Sequence, residues 1–207
     1  MPGMQEFGLI CVVLLLAILL TVFAGSHQDR LTGRTVNNFL NPHTLMQIAT
    51  DTGFFAVMAI GATIVIISGG IDLSVGSIYA LSGVITALLL RATGGMQDSA
   101  TVWTAVLACL GIGTIAGFIN GLMVVGLRVH PFIITLGTMW IFRGIAFVSS
   151  KAESVPVPAC VTAVTKANLG LGQALYPVPL LVMLAATVVG AVFLARLVMG
   201  RNIYAIG

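Results

Sequence analysis

The sequence predicts an all-α, polytopic membrane helix bundle, and three observations carry that prediction: 58% of its 207 residues are hydrophobic, only 7% are charged, and the apolar residues fall in runs long enough to cross a bilayer. A soluble domain is about one-quarter charged. The 24 glycines fit the same class, because a missing side chain lets membrane helices approach closely.

Crossing about 30 Å of hydrocarbon at 1.5 Å per residue takes roughly 20 helical residues. Six runs qualify, near 7–24, 49–69, 73–91, 101–127, 130–150 and 177–197, within one membrane domain over 1–207. The first run has the small residues Ala24 to Ser26 after it, as a signal peptide would. No Lys or Arg precedes it, however, and it exceeds the usual core of about 7–15 residues, so it reads as a retained anchor. Before the second run, the polar stretch Ser26 to Thr50 carries Asn37-Asn38-Phe39-Leu40-Asn41-Pro42-His43. There Asn41 or Thr44 is expected to start an interfacial lead-in to the span.

The second and third runs are separated by Gly69-Gly70-Ile71-Asp72-Leu73-Ser74-Val75-Gly76-Ser77, an acid and two hydroxyls in otherwise apolar sequence. Such a break at membrane depth is costly unless it lines a cavity or is buried in protein. A helix starting at Leu73 takes Asp72 as its N-cap, with the carboxylate accepting from the amides of Ser74 or Val75. The two glycines permit backbone that a Cβ would resist. A broken helix of this kind suits a translocation path, with Ser74, Ser77 and Tyr79 offering hydroxyls to a polar solute; each could equally bond its own helix backbone.

In the fourth run Ala105, Cys109, Gly113, Gly117 and Gly121 recur every four residues and predict a helix-packing ridge, met within the chain in preference to a homodimer. Asn120 beside it is expected to bridge helices or face the path. The fifth run holds Arg143 in otherwise uncharged sequence, either snorkelling toward Ser150 or facing inward. Between it and the last run, Lys151 to Tyr176 carries turn-forming prolines and is expected to pack as a short cap outside the bilayer.

Absences narrow the function. There is no G-x-x-x-x-G-K-[ST] loop, so any ATP energy must come from a partner, and neither H-E-x-x-H nor G-x-S-x-G occurs. An intramembrane hydrolase built on Ser82 and His130 has nothing in the sequence to bring base and hydroxyl together. The histidines and cysteines lack metal-ligand spacing, and the nine Lys and Arg are scattered singly, which excludes a nucleic-acid stripe. With a cytoplasmic N-terminus, Arg128, Arg196 and Arg201 fall inside but Arg30, Arg34, Arg91, Lys151 and Lys166 outside. Charge alone therefore leaves topology open.

Several motifs in order resemble the ribose-type permeases of bacterial ABC sugar importers: the 69–77 segment, Asn120-Gly121, the run Pro131 to Met139 followed by Arg143-Gly144, and Gly200-Arg201-Asn202-Ile203-Tyr204-Ala205-Ile206-Gly207. The similarity runs from about residue 36 to the end. It implies a multi-pass permease subunit of the inner membrane that binds no cofactor itself. It also implies a cytoplasmic ABC ATPase that uses ATP, a periplasmic solute-binding protein, and a second copy or sister permease. Gly69, Gly70, Asp72, Ser74, Gly76, Ser77, Asn120 and Arg143 become candidate pathway residues. Gly200, Arg201, Tyr204 and Gly207 become candidate ATPase contacts in a coupling loop starting at 198–207, and the N-terminus becomes cytoplasmic. Members of that family continue beyond the position equivalent to Gly207, so the chain is expected to be a fragment. Amino-acid or autoinducer solutes remain open within the family. Outside it stand an ion-coupled secondary transporter or channel, which should carry ionisable residues in several spans, and an assembly subunit needing only the small-residue ridge.

Overall fold

The computed structural model describes residues 2–28, 33–94, 98–166 and 177–207, leaving undescribed the side chains of 2–6 and 177. Eight helices and one two-stranded ribbon occur among them: α1 (Pro2–Phe23), β1 (Ser26–Gln28), β2 (Thr35–Asn37), α2 (Pro42–Ile67), α3 (Val75–Ala92), α4 (Ser99–Leu127), α5 (Pro131–Ser149), α6 (Ala159–Thr165), α7 (Pro177–Arg196) and α8 (Val198–Ile206). Five of them, α2, α3, α4, α5 and α7, are long and apolar enough to cross a membrane; the described apolar part of α1, Phe7–Phe23, is shorter. The polytopic helical class therefore stands.

The described residues divide into two compact units, one up to Thr52 and one made of 53–166 and 177–207. In the first, β1 and β2 pair antiparallel with His27 opposite Val36. This ribbon was not expected from the sequence. Consecutive asparagines tie it down: Asn37 donates to the Thr21 carbonyl at 2.7 Å and Asn38 to that of Ala24 at 2.6 Å. Asn41 then accepts from the Thr44 amide at 2.8 Å, so α2 starts at Pro42 and not near 49. The expected lead-in is the first turns of the spanning helix itself.

In the second unit the core is shared by α3, α4 and α5, where Leu81, Ala116, Phe142 and Ala146 are buried together with Ile78, Val84, Ile85 and Ile112 packed against them. The expected ridge on α4 meets α3 only in part. Ala105 is buried and Gly113 lies against Ser82, but Gly117 and Gly121 are exposed and a Cβ on either would meet no atom within 4 Å. The spacing explains this: four residues turn about 400°, so the ridge drifts about 40° per step. At the lower level Ala116 and Asn120 face the core instead.

Close approaches at two glycines join α2 to α7, one to backbone and one to a side chain. A Cβ on Gly53 would lie 3.1 Å from the Pro179 carbonyl, and one on Gly190 2.9 Å from Ile60. Within the expected cap, Ala159–Thr165 forms α6, while 167–176 lies outside the described residues, as does Arg30 of the charge tally. The segment expected to open a loop at 198–207 is helical over Val198–Ile206.

Candidate functional site

Residues 68–74 form an elbow between α2 and α3. Gly69 sits at φ +76°, a left-handed conformation that a Cβ strains. Gly70 is buried, and a Cβ there would press on Val65 at 3.2 Å and touch Pro131 at an ordinary 3.6 Å. Two adjacent glycines thus serve different ends, one a turn and one a close approach.

Beyond them, Ser74 is the hub. It is wholly enclosed, and its amide and hydroxyl both donate to Asp72 Oδ1, at 2.7 and 2.6 Å. Its carbonyl accepts the first helical bond from Ile78 at 2.9 Å and also the Ser77 hydroxyl at 2.7 Å. The carboxyl of Asp72 thus engages the Ser74 amide as the sequence suggests, but α3 starts at Val75 with Ser74, not Asp72, at the N-cap position. An Asx-type turn precedes the helix by two residues.

Two neighbouring helices hold this turn. From α4, buried Asn120 donates through Nδ2 to Ser74 Oγ at 2.7 Å, across 46 residues of sequence. Its Oδ1 is enclosed without a hydrogen-bond partner among the described residues. From α5, Thr135 Oγ1 accepts the Leu73 amide at 3.2 Å and donates to the Ile71 carbonyl at 3.1 Å. The helix carrying Thr135 is set by His130, whose Nδ1 accepts from the Phe132 amide, and by Pro131 in the first turn, where a missing N–H costs nothing.

The structure therefore brings together Gly70, Asp72, Ser74, Ser77 and Asn120. It does not bring Arg143 to them: the buried stripe of α5 is Thr135, Thr138, Phe142 and Ala146, and Arg143 is exposed beside it. Gly76 is exposed as well. Thr135 was missed in the sequence because a threonine in an apolar helix ordinarily bonds its own backbone; its position in the Pro131 to Met139 run was the available signal. Of the candidate coupling residues, Gly200 is buried in the first turn of α8, where a Cβ would collide with the backbone of Phe193 and Leu194 in α7, while Arg201 and Tyr204 are exposed. A Cβ on Gly207 would collide with the Ile67 carbonyl and come within 2.9 Å of the Gly69 amide.

A second feature is a cavity of about 490 Å³ with α2, α3, α4, α6 and α7 around it, including Phe54, Tyr79, Cys109 and Val182. Its walls are almost wholly apolar, unlike the elbow. Among the described residues no three His, Cys, Asp or Glu are grouped to hold a metal.

Five helices long and apolar enough to cross a membrane, joined by buried cross-helix hydrogen bonds, define a multi-pass helical membrane protein. The chain belongs to the family described as branched-chain amino acid transport system / permease component, which it matches over residues 44–207. It is 34% identical to the ribose import permease protein of Escherichia coli K12, over 99% of this chain and 58% of that protein. It is likewise 34% identical to the D-allose transport system permease protein of the same organism, over 93% of this chain and 54% of that one. With the autoinducer 2 import system permease protein of Yersinia pestis it shares 32% identity over 93% and 50% respectively. The chain thus spans little more than half the length of these relatives. No solved structure matches it.

Proposed function

We propose that this chain serves in a permease subunit of an ATP-driven importer in the bacterial inner membrane, carrying a monosaccharide or similar small polar solute. One observation supports this most: the chain belongs to a permease family and resembles sugar and autoinducer permeases over nearly its whole length. In this reading a separate cytoplasmic ABC ATPase hydrolyses ATP, a periplasmic protein delivers the solute, and a second copy or sister permease completes the pathway. The elbow's hydroxyl, carboxyl and carboxamide groups bond one another in a buried cluster, so in this reading they shape the wall of the pathway and do not themselves hold the solute. An ion-coupled transporter is not favoured by these relatives, and the charged side chains well inside the described spans, Asp51 of α2 and Arg143 of α5, are both exposed.

The test is uptake. Cells carrying the complete transporter are given radiolabelled ribose, allose or a branched-chain amino acid, with and without the neighbouring ATPase gene. Accumulation of one solute that disappears with the ATPase supports the reading. Accumulation that survives loss of the ATPase but collapses with the ion gradient refutes it.

A further inference from the structure

The elbow is held from two sides, and the hold from α5 depends on one hydroxyl. Leu73 N–H and the Ile71 carbonyl lie ahead of the first ladder bond of α3, so neither has a helical partner. Thr135 Oγ1 meets both, 62 and 64 residues away in sequence. At 3% exposure it has no competition from solvent or lipid headgroups. In hydrocarbon, backbone groups left bare are costly, so a side chain that satisfies two at once fixes where this backbone can rest.

The same hydroxyl has an alternative. It carries one proton, and two carbonyls lie within reach: Ile71 at 3.1 Å and, in its own helix, Phe132 at 3.4 Å. Bonding back to its own helix is the ordinary state of threonine in an apolar helix. When the elbow withdraws, Thr135 can turn its proton to Phe132, so release leaves no bare donor on α5.

Movement has a place to begin. Residues 71–74 are tied to α4 and α5, whereas Gly69 has the turn conformation, and α2 on its far side is among the least enclosed of the long helices.

We propose that Thr135 is the positioning residue of the elbow: a releasable latch that fixes Ile71 and Leu73 against α5 in one state of the pathway, and returns its proton to Phe132 in another. The purpose of the motion rests on the permease reading; the latch itself does not.

Hydrogen–deuterium exchange of the chain in lipid nanodiscs tests it, read on a peptide covering 70–77. Thr135→Val keeps the shape and removes donor and acceptor, and should speed exchange of that peptide about tenfold, while Thr135→Ser should stay within about twofold of the parent. Peptides from the rest of α4 and α5 should not change in either. Equal exchange in parent and Thr135→Val overturns the latch. If Thr135→Val loosens every peptide, Thr135→Ser decides: retained protection at 70–77 supports the latch, and lost protection overturns it. Uptake by the complete transporter is measured alongside. A response in exchange without any ATPase-dependent uptake leaves the latch and removes the permease reading; ATPase-dependent uptake with exchange unchanged does the reverse.

Discussion

Replacing Asp72 separates a structural elbow from a dispensable one, because two bonds from the same residue converge on one oxygen. In Asp72→Leu the Ser74 amide and hydroxyl lose the acceptor they reach at 2.7 and 2.6 Å, in a residue with no exposure. An orphaned buried donor costs about 1–3 kcal/mol, so the two together set a ceiling of about 6 kcal/mol. The hydroxyl has a rescue: Asn120 already contacts Ser74 Oγ through Nδ2, and its unpartnered Oδ1 comes to that position if the amide turns over. The backbone amide has none, since its direction is fixed by the turn. The expected loss is therefore about 2–4 kcal/mol for Asp72→Leu, against about 1 kcal/mol for Asp72→Asn, which keeps an acceptor oxygen in place. Reversible unfolding in mixed detergent micelles, followed by loss of helical circular dichroism, measures the difference. Stabilities of the two variants within about 0.5 kcal/mol of one another would refute the assignment of Asp72 as the acceptor that closes the elbow.

Asn120→Leu should behave in the opposite sense: it discards one bond worth about 1 kcal/mol and an acceptor without a partner, so the same unfolding assay should find it unchanged to about 2 kcal/mol more stable, and a larger loss would show that Oδ1 is satisfied. Gly69→Ala should cost about 1–2 kcal/mol through its positive φ, whereas Gly76→Ala, where a Cβ meets no atom within 4 Å, should be neutral or slightly stabilising in helix α3. Gly53→Ala should cost about 1–3 kcal/mol, because the atom in the way is the Pro179 carbonyl, which cannot swing aside like a side chain. Asp98 caps α4 by accepting from the Thr101 hydroxyl and amide, which hold its carboxyl below the usual 3.8. The unfolded chain therefore binds the proton more readily, so the cap's contribution is complete above pH 3.8 and is lost as pH falls through the lower native value. Unfolding measured from pH 5 to pH 2 should show that loss in the parent and a shallower slope in Asp98→Asn.

Five long apolar helices were legible, though not the start of α2 at Pro42, because hydrophobic run length is set by the bilayer and leaves little else for such a sequence to do. So was the use of Asp72 as an acceptor, since a carboxyl just ahead of a helix has orphan amides within reach. The start of α3 was not, because choosing between Leu73 and Val75 depends on whether Ser74 bonds forward into the helix or back to Asp72. That choice is made by Asn120 and Thr135, 46 and 61 or more residues away. The ribbon at 26–37 escaped for a similar reason: its strands are three residues each and carry no alternation, and side-chain amides of Asn37 and Asn38 supply the hold that an apolar face would have supplied in a longer strand. Arg143 was ambiguous in sequence because its neighbours are all apolar on every side. Only the packing of Phe142 and Ala146 into the core selects its face.

The depth of the elbow follows from its partners. Asn120 lies seven residues before the end of α4 at Leu127, about 10 Å along the axis, and Thr135 four residues after the start of α5 at Pro131, about 6 Å. Ser74 therefore enters the bundle from one end and is buried one to two turns inside it, not at the middle of a span. At that same end the backbone of Gly207, directly after α8, comes so close to Ile67 and Gly69 that no side chain fits between them. The segment proposed to meet the ATPase and the segment proposed to line the pathway are thus neighbours in space although about 130 residues apart in sequence. A displacement of α8 needs no relay through the helical core to reach the elbow; it bears first on Gly69, the one residue there whose φ is already in the turn region, while Asp72, Ser74, Asn120 and Thr135 resist on the other side.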